Sequence, residues 1–215
     1  MKQASDQAAR SAAAALYREL GARGLCNGSA GNVSLRTRAG MVITPSGARP
    51  DTITPDCLVS MSLDGVVEDG PIPSSEWHMH ARIYDSYPAA HCIVHTHADA
   101  CTALACLGEG LPAFHYMITR FGGDIRCAPY VTFGTPALAE AAVRALERRS
   151  ACLLANHGMI VHGGGPAAAL SSALLLETLA RQYLLARSAG TPRLLTDEEL
   201  REAEERFRTY DAGRG

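Results

Sequence analysis

The chain has 215 residues, 47% of them hydrophobic and 20% charged, enough to bury the core of one ordinary domain. The formal net charge is -2, so there is no basic excess to hold a nucleic-acid backbone. No apolar run approaches the roughly 18 residues that a membrane span needs. Among the 20 Lys+Arg residues only Lys2 is lysine. That excludes mechanisms needing a lysine inside the site: Schiff-base chemistry, pyridoxal phosphate and Walker-type phosphate binding.

In chain order, a first helix is expected over residues 5–23. Its apolar stretch at 12–16 could mimic a leader peptide, but Asp6, Arg10, Arg18 and Glu19 interrupt it, and it reads as an amphipathic helix. A Gly-rich segment, 24–32, follows. Short strands are expected at 33–36 and 41–44, then a turn-rich stretch with Pro45, Gly47, Pro50 and Pro55. Another strand is expected at 58–62, with Asp64-Gly65 as a hairpin turn. Ser74 and Ser75 read as N-caps for a helix over 76–86. A strand at 90–96 and a helix at 98–106 come next, then two short strands near 113–117 and 126–129. Thr135-Pro136 starts a helix expected to run to about 149. Strands at 152–155 and 159–162 flank Asn156-His157-Gly158. A long helix spans 166–188, and Thr196 with Glu199 forms a capping box for a last helix. Helices alternating with strands, several joined by tight turns, indicate α/β layers around a sheet that is not purely parallel. No GxGxxG follows a first strand, which argues against a dinucleotide fold.

The seven cysteines are odd in number and none are spaced CxxC. They read as reduced, buried thiols in a cytoplasmic protein.

Two histidine pairs have HxH spacing, and the spacing means different things in each. His78 and His80 fall on a predicted helix, where two residues span about 200 degrees, so both cannot ligate one ion. One faces the core and the other solvent. His95 and His97 end a predicted strand, where residues i and i+2 share a face. Two imidazoles on one face begin a zinc site. His157, at a turn between two apolar strands, is a third candidate. Three such ligands with an open fourth position point first to zinc. Glu76 could complete the set as a ligand or base, or could simply be favoured by the helix N-terminus.

With no lysine available, phosphate would be held by backbone N–H groups and hydroxyls in turns and at helix starts. Three segments offer them: Ser29 to Asn32, Thr44 to Gly47, and Ser74-Ser75. Each alone is also an ordinary turn.

Together, the strings GSAGNVS, ITPSG, PSSEWHMH, VHTHA, PAFHYMI, CAPYVTFGT and ANHGMI, then RFRTY, span nearly the whole chain in order. They resemble the class II aldolase/adducin family, in its L-fuculose-1-phosphate aldolase group. The resemblance implies a single domain over 1–215 with a three-layer α/β/α fold and a mixed, mostly antiparallel central sheet. It implies Zn²⁺, with Co²⁺ or Mn²⁺ as substitutes, held by His95, His97, His157 and Glu76. It implies a phosphate pocket of Ser29, Gly31, Asn32, Ser46, Gly47, Ser74 and Ser75. Phe133 and Tyr210 would line the aldehyde side. Tyr116 would reach into a neighbouring subunit of a homotetramer whose active sites lie at subunit interfaces. The chain departs from the fuculose group at Asn156, where that group has His, and at Thr119-Arg120-Phe121, where it has small residues.

The implied reaction is reversible cleavage of a ketose 1-phosphate into dihydroxyacetone phosphate and an aldehyde, with Glu76 and Tyr116 as the proton-transfer groups. The ketose would be L-fuculose 1-phosphate or a 5-deoxypentulose or 5-methylthioribulose 1-phosphate. The same fold also carries ribulose-phosphate 4-epimerases, methylthioribulose-phosphate dehydratases and sugar-acid phosphate decarboxylases. Non-catalytic adducin-like interaction domains carry it too, but they lose the metal ligands, and this chain keeps all four.

Overall fold

The computed structural model describes residues 2–212; the side chains of residues 2–5, Lys2 among them, and of residues 211 and 212 lie outside the described residues. The strands are β1 (Asn32–Arg36), β2 (Met41–Ile43), β3 (Val59–Met61), β4 (Val67–Asp69), β5 (Cys92–Thr96), β6 (Cys127–Ala128), β7 (Ala151–Leu154) and β8 (Gly158–Gly163). The helices are α1 (Lys2–Ala22), α2 (Trp77–Ser86), α3 (Asp99–Cys106), α4 (Pro136–Ala145), α5 (Pro166–Ala189) and α6 (Asp197–Ala212). The strands form one sheet in the order β4-β3-β2-β1-β5-β8-β7-β6. Every pairing is antiparallel except β6 with β7.

Strand alternation divides the apolar residues between two faces. Val33, Leu35, Cys92, Val94, Met159 and Val161 pack with residues of α1, α3 and α5. Met41, Ile43, Val59, Ile93, Cys152, Leu154 and Ile160 pack with residues of α2 and α4. The result is three layers, α/β/α, with a core on each side of the sheet. Fully burying a side chain such as Leu104 or Ile93 contributes about 1.5–3 kcal/mol, so both faces are needed to hold strands this short.

Four local expectations change. The segment near 113–117 is not a strand: a 3-10 helix runs from Tyr116 to Phe121. The His115 ring accepts the Met117 N–H, and Gly122 closes the helix at φ 87, a left-handed conformation glycine adopts freely. The helix begun by Thr135, whose hydroxyl accepts the Leu138 N–H, ends at Ala145 rather than near 149, and Arg148 turns to φ 57. Ser74 and Ser75 do not occupy the cap position of α2. Glu76 does, with φ -98 and ψ 12, while the Ser74 hydroxyl accepts the Glu76 N–H. That frees the Glu76 carboxylate from capping and leaves it for the site. The expected strand at 90–96 begins only at Cys92.

The Thr196–Glu199 capping box forms reciprocally: Glu199 accepts the Thr196 N–H at 2.8 Å and Thr196 accepts the Glu199 N–H at 3.2 Å. All seven cysteines are free thiols, and four of them are buried. No helix among the described residues is long and apolar enough to cross a membrane.

One contact from the outer layer bears on the site. The Tyr17 hydroxyl, on α1 and fully buried, lies 3.0 Å from the Ala48 carbonyl and 3.2 Å from the Gly31 carbonyl. It therefore ties together the two loops that hold Ser29 to Asn32 and Ser46-Gly47. Tyr17→Phe removes that tie at nearly constant volume and should lower unfolding stability by about 1 kcal/mol. Denaturant titration reads the loss, and an unchanged midpoint would show that the tie carries no net energy.

Candidate active site

The site is built where β1, β5 and the β7–β8 turn meet the start of α2. The antiparallel register sets Asn32 of β1 opposite His95 of β5 and His95 opposite Ile160 of β8. His97 follows one residue beyond the end of β5. The loop between β7 and β8 is Ala155-Asn156-His157, with Asn156 at φ 55, a conformation that Asn tolerates better than most residues.

Two glycines allow the close approach. At Gly158 a Cβ would stand 2.4 Å from the Thr96 carbonyl oxygen and 3.0 Å from the His97 ring, so a side chain there would push His157 away from His97. At Gly31, φ is +86 and a Cβ would meet the His95 carbonyl oxygen at 2.7 Å. Only glycine lets that loop lie against β5.

The three imidazoles converge at ring-centroid separations of 5.0, 4.7 and 4.9 Å. One nitrogen from each of His95, His97 and His157 lies within 4.8 Å of the others. His95 Nε2 stands 3.1 Å from His97 Nε2 and 3.1 Å from Glu76 Oε2. Glu76 Oε1 is 3.3 Å from His157 Nε2, yet it is buried without a hydrogen-bond partner.

This arrangement fits a divalent ion. His95 Nδ1 lies 2.8 Å from the Met159 carbonyl, which can only accept, so Nδ1 carries a proton and Nε2 is the nitrogen turned to the cluster. Burial, reinforced by the neighbouring His95, pushes His97 and His157 each down to about 4, so both rings are neutral near pH 7, as ligands must be. For Glu76, burial works against the charged form, but the charge and hydrogen bond of His95, the His157 ring and the Asn32 amide outweigh it and hold the carboxyl below its usual range. A buried carboxylate with an unpartnered oxygen beside three converging imidazole nitrogens is a donor set suited to a divalent cation.

A cavity of about 340 Å³ opens beside the cluster. The structure brings to its wall every residue of the expected phosphate set: Ser29, Gly31 and Asn32, then Ser46 and Gly47, then Ser74 and Ser75. Glu76, His97, His157 and Phe133 line it as well, with His95 buried behind them. The Asn32 amide N–H goes to Glu76 Oε2 at 3.0 Å.

Tyr116 and Tyr210 do not line this cavity. Tyr116 is half exposed and stacks on Phe207 of α6 at 5.7 Å, and the Arg120 guanidinium covers the same Phe207 ring. Tyr210 is half exposed near the end of α6. Asn156, the departure from the fuculose group, lines the cavity, and the sequence reading missed Tyr130 and Val131, which line it too. Tyr130 and Val131 sit in the CAPYVTFGT string beside Phe133, and that adjacency was the available signal.

The comparisons agree with this geometry. A family model described as Class II Aldolase and Adducin N-terminal domain matches residues 11–184. The 5-methylthioribulose-1-phosphate/5-deoxyribulose-1-phosphate aldolase of Rhodospirillum rubrum is 43% identical over 194 residues, covering 90% of this chain and 88% of that protein. The L-fuculose phosphate aldolase of Escherichia coli K12 is 44% identical over 189 residues, covering 87% and 88%. A solved L-fuculose 1-phosphate aldolase superposes with a TM-score of 0.89 at 38% identity, covering 93% of this chain and 96% of that one. With its fold, its histidine cluster and these similar sequences all in agreement, the chain belongs to the class II aldolase and adducin family and is a lyase of the class II aldolase type.

Proposed function

We propose that the chain, acting as one domain over 1–215, is a zinc-dependent aldolase that reversibly cleaves a ketose 1-phosphate to dihydroxyacetone phosphate and a short aldehyde. The ketose is L-fuculose 1-phosphate or a 5-deoxypentulose or 5-methylthioribulose 1-phosphate. The observation that carries this is the convergence of three imidazoles and an ionised carboxylate on one cavity with three lysine-free, hydroxyl-rich loops.

The hydroxyls of Ser29, Ser46, Ser74 and Ser75, with loop N–H groups and the start of α2, hold the phosphate. His95, His97 and His157, with Glu76, would hold Zn²⁺, and the same nitrogens accept Co²⁺ or Mn²⁺. The bound ion supplies Lewis-acid stabilisation of negative charge on the ketose oxygens.

In cleavage the C3–C4 bond breaks and its electron pair stays with the phosphate-bearing three-carbon fragment. The C4 hydroxyl proton passes to the Tyr116 oxygen as the phenol gives its own proton to solvent and the aldehyde carbonyl forms, and C3 then receives a proton that Glu76 has taken up from solvent. In condensation the ionised Glu76 takes that proton back from C3, which suits a carboxyl held below its usual range. Tyr116, half exposed on its 3-10 helix, would serve a second copy of the chain in a homotetramer sharing its sites. The candidate substrates share a methyl or methylthio terminus on the aldehyde half. Phe133, with Tyr130 and Val131, offers an aromatic and apolar wall for it; Tyr210, off this cavity in the single chain, would join that side from the C-terminal helix of a second copy. Seven free thiols suit a reducing cytoplasm.

The test is release of dihydroxyacetone phosphate from L-fuculose 1-phosphate and from 5-deoxyribulose 1-phosphate, with and without chelator. Chelator-sensitive release from either is expected, and the ratio of rates ranks the substrates. No release from either with zinc bound would move the assignment to the epimerase, dehydratase or decarboxylase chemistry of the same fold.

A further inference from the structure

A buried polar chain runs behind the metal cluster, away from the cavity. Glu76, His80 and Tyr84 recur at four-residue intervals on one face of α2 and its cap. Asn32 and Ser34, two residues apart, share the facing side of β1. Four helical residues rise about 6 Å and two strand residues about 6.7 Å, so the two series stay in step. The contacts follow in order. Tyr84 OH lies 2.9 Å from Ser34 Oγ, and Ser34 Oγ lies 2.7 Å from His80 Nδ1. His80 Nε2 lies 2.6 Å from Asn32 Oδ1, and Asn32 Nδ2 lies 3.0 Å from Glu76 Oε2.

Only one arrangement of protons satisfies every member. The ionised Glu76 carboxylate can only accept, so the Asn32 N–H₂ faces it and Oδ1 faces the ring. Oδ1 can only accept, so His80 Nε2 carries the proton. His80 is fully buried, and burial, with His95 nearby, pushes it down to about 3, so the ring is neutral and Nδ1 accepts from Ser34. Ser34 in turn accepts from Tyr84.

We propose that His80 is a positioning residue that, through the Asn32 amide, holds the Glu76 carboxylate in the orientation used by both the metal centre and the proton transfer. The inference rests on the aldolase reading above. Without the ring N–H, the Asn32 amide is free to flip its oxygen toward Glu76 and repel it.

The test compares His80→Leu and His80→Gln in the full chain. Three quantities are read: zinc affinity of stripped protein by competition with a chromophoric chelator, kcat and KM for the ketose 1-phosphate, and the metal-free thermal midpoint. His80→Leu should weaken zinc binding by about 10-fold or more and lower kcat by about 10- to 100-fold, with KM nearly unmoved. His80→Gln, whose amide N–H can reach Asn32 Oδ1, should recover both to within about threefold of wild type, even if its metal-free midpoint matches that of the Leu variant. Wild-type zinc affinity and kcat in the Leu variant would overturn the proposal, as would equal losses in two folded variants. Should both variants fail to fold, Ser34→Ala decides: a lowered kcat at constant KM supports the relay, and an unchanged kcat overturns it. Wild-type protein that binds zinc but cleaves no ketose 1-phosphate overturns the aldolase reading instead, and the affinity comparison still decides for His80.

Discussion

Glu76→Gln should lower cleavage by about 10²- to 10⁴-fold, the usual contribution of a positioned acid–base group, while zinc stays largely bound. The substitution keeps the shape of the side chain and an oxygen able to face the imidazoles, but the amide can no longer take or give the proton at C3. Asn32 enforces the choice of rotamer. Its N–H₂ lies 3.0 Å from Oε2, so the new amide must turn its oxygen toward Asn32 and His95 and its N–H₂ toward His157. Some weakening of the metal site follows, smaller than the loss in rate. The measurement is kcat on the preferred ketose 1-phosphate beside zinc content per chain. Turnover close to wild type at full occupancy would remove Glu76 from the proton-transfer role.

His97→Ala should abolish both properties together. His97 provides one of three imidazoles, and losing a direct ligand should weaken zinc by more than the roughly 100-fold seen when an outer partner is lost. Cleavage should fall below detection and match that of chelator-treated wild type. His97 is only partly buried and lines the open cavity, unlike the fully buried His95. Truncation therefore opens space toward solvent rather than inside the core, and the metal-free variant should unfold near the temperature of metal-free wild type. Zinc content and circular-dichroism melting check both halves. A variant that kept stoichiometric zinc and chelator-sensitive turnover would show that the ion is held elsewhere.

The parts of this molecule that were legible in its sequence are those where a short-range pattern is decisive. His95 and His97 could be placed together because a strand repeats every two residues, and His78 and His80 apart because a helix does not. His80 is buried while His78 stays partly exposed and stacks on Trp77. The Thr196–Glu199 box was readable for the same reason. The segment around His115 misled because its apolar residues satisfy either a strand or a tight 3-10 turn, and the His115 ring decides between them by accepting the Met117 N–H. The polar chain from Tyr84 to Glu76 was hidden for a different reason. Ser34 in a strand and Tyr84 in a helix are ordinary singly, and their meaning depends on which strand the helix covers. The placement of Tyr116 and Tyr210 beyond the cavity likewise follows from how α6 docks on the 3-10 helix through Phe207, which no local pattern encodes.

The proposed ligands come from the cap of α2, the end of β5 and the β7–β8 turn, positions 76 to 157 of the chain. In the unfolded polypeptide only His95 and His97 are near each other, and two imidazoles hold an ion poorly. The complete set exists only once α2 has docked and β5 has paired with both neighbours. Zinc held there would therefore distinguish sharply between folded and unfolded chains, and free ion at 1,000 times its dissociation constant would add about 4 kcal/mol to the native state. That is a sizeable share of the 5–15 kcal/mol by which folded domains exceed their unfolded forms. For this protein the supply of the ion would then set the lifetime of the chain as well as its turnover.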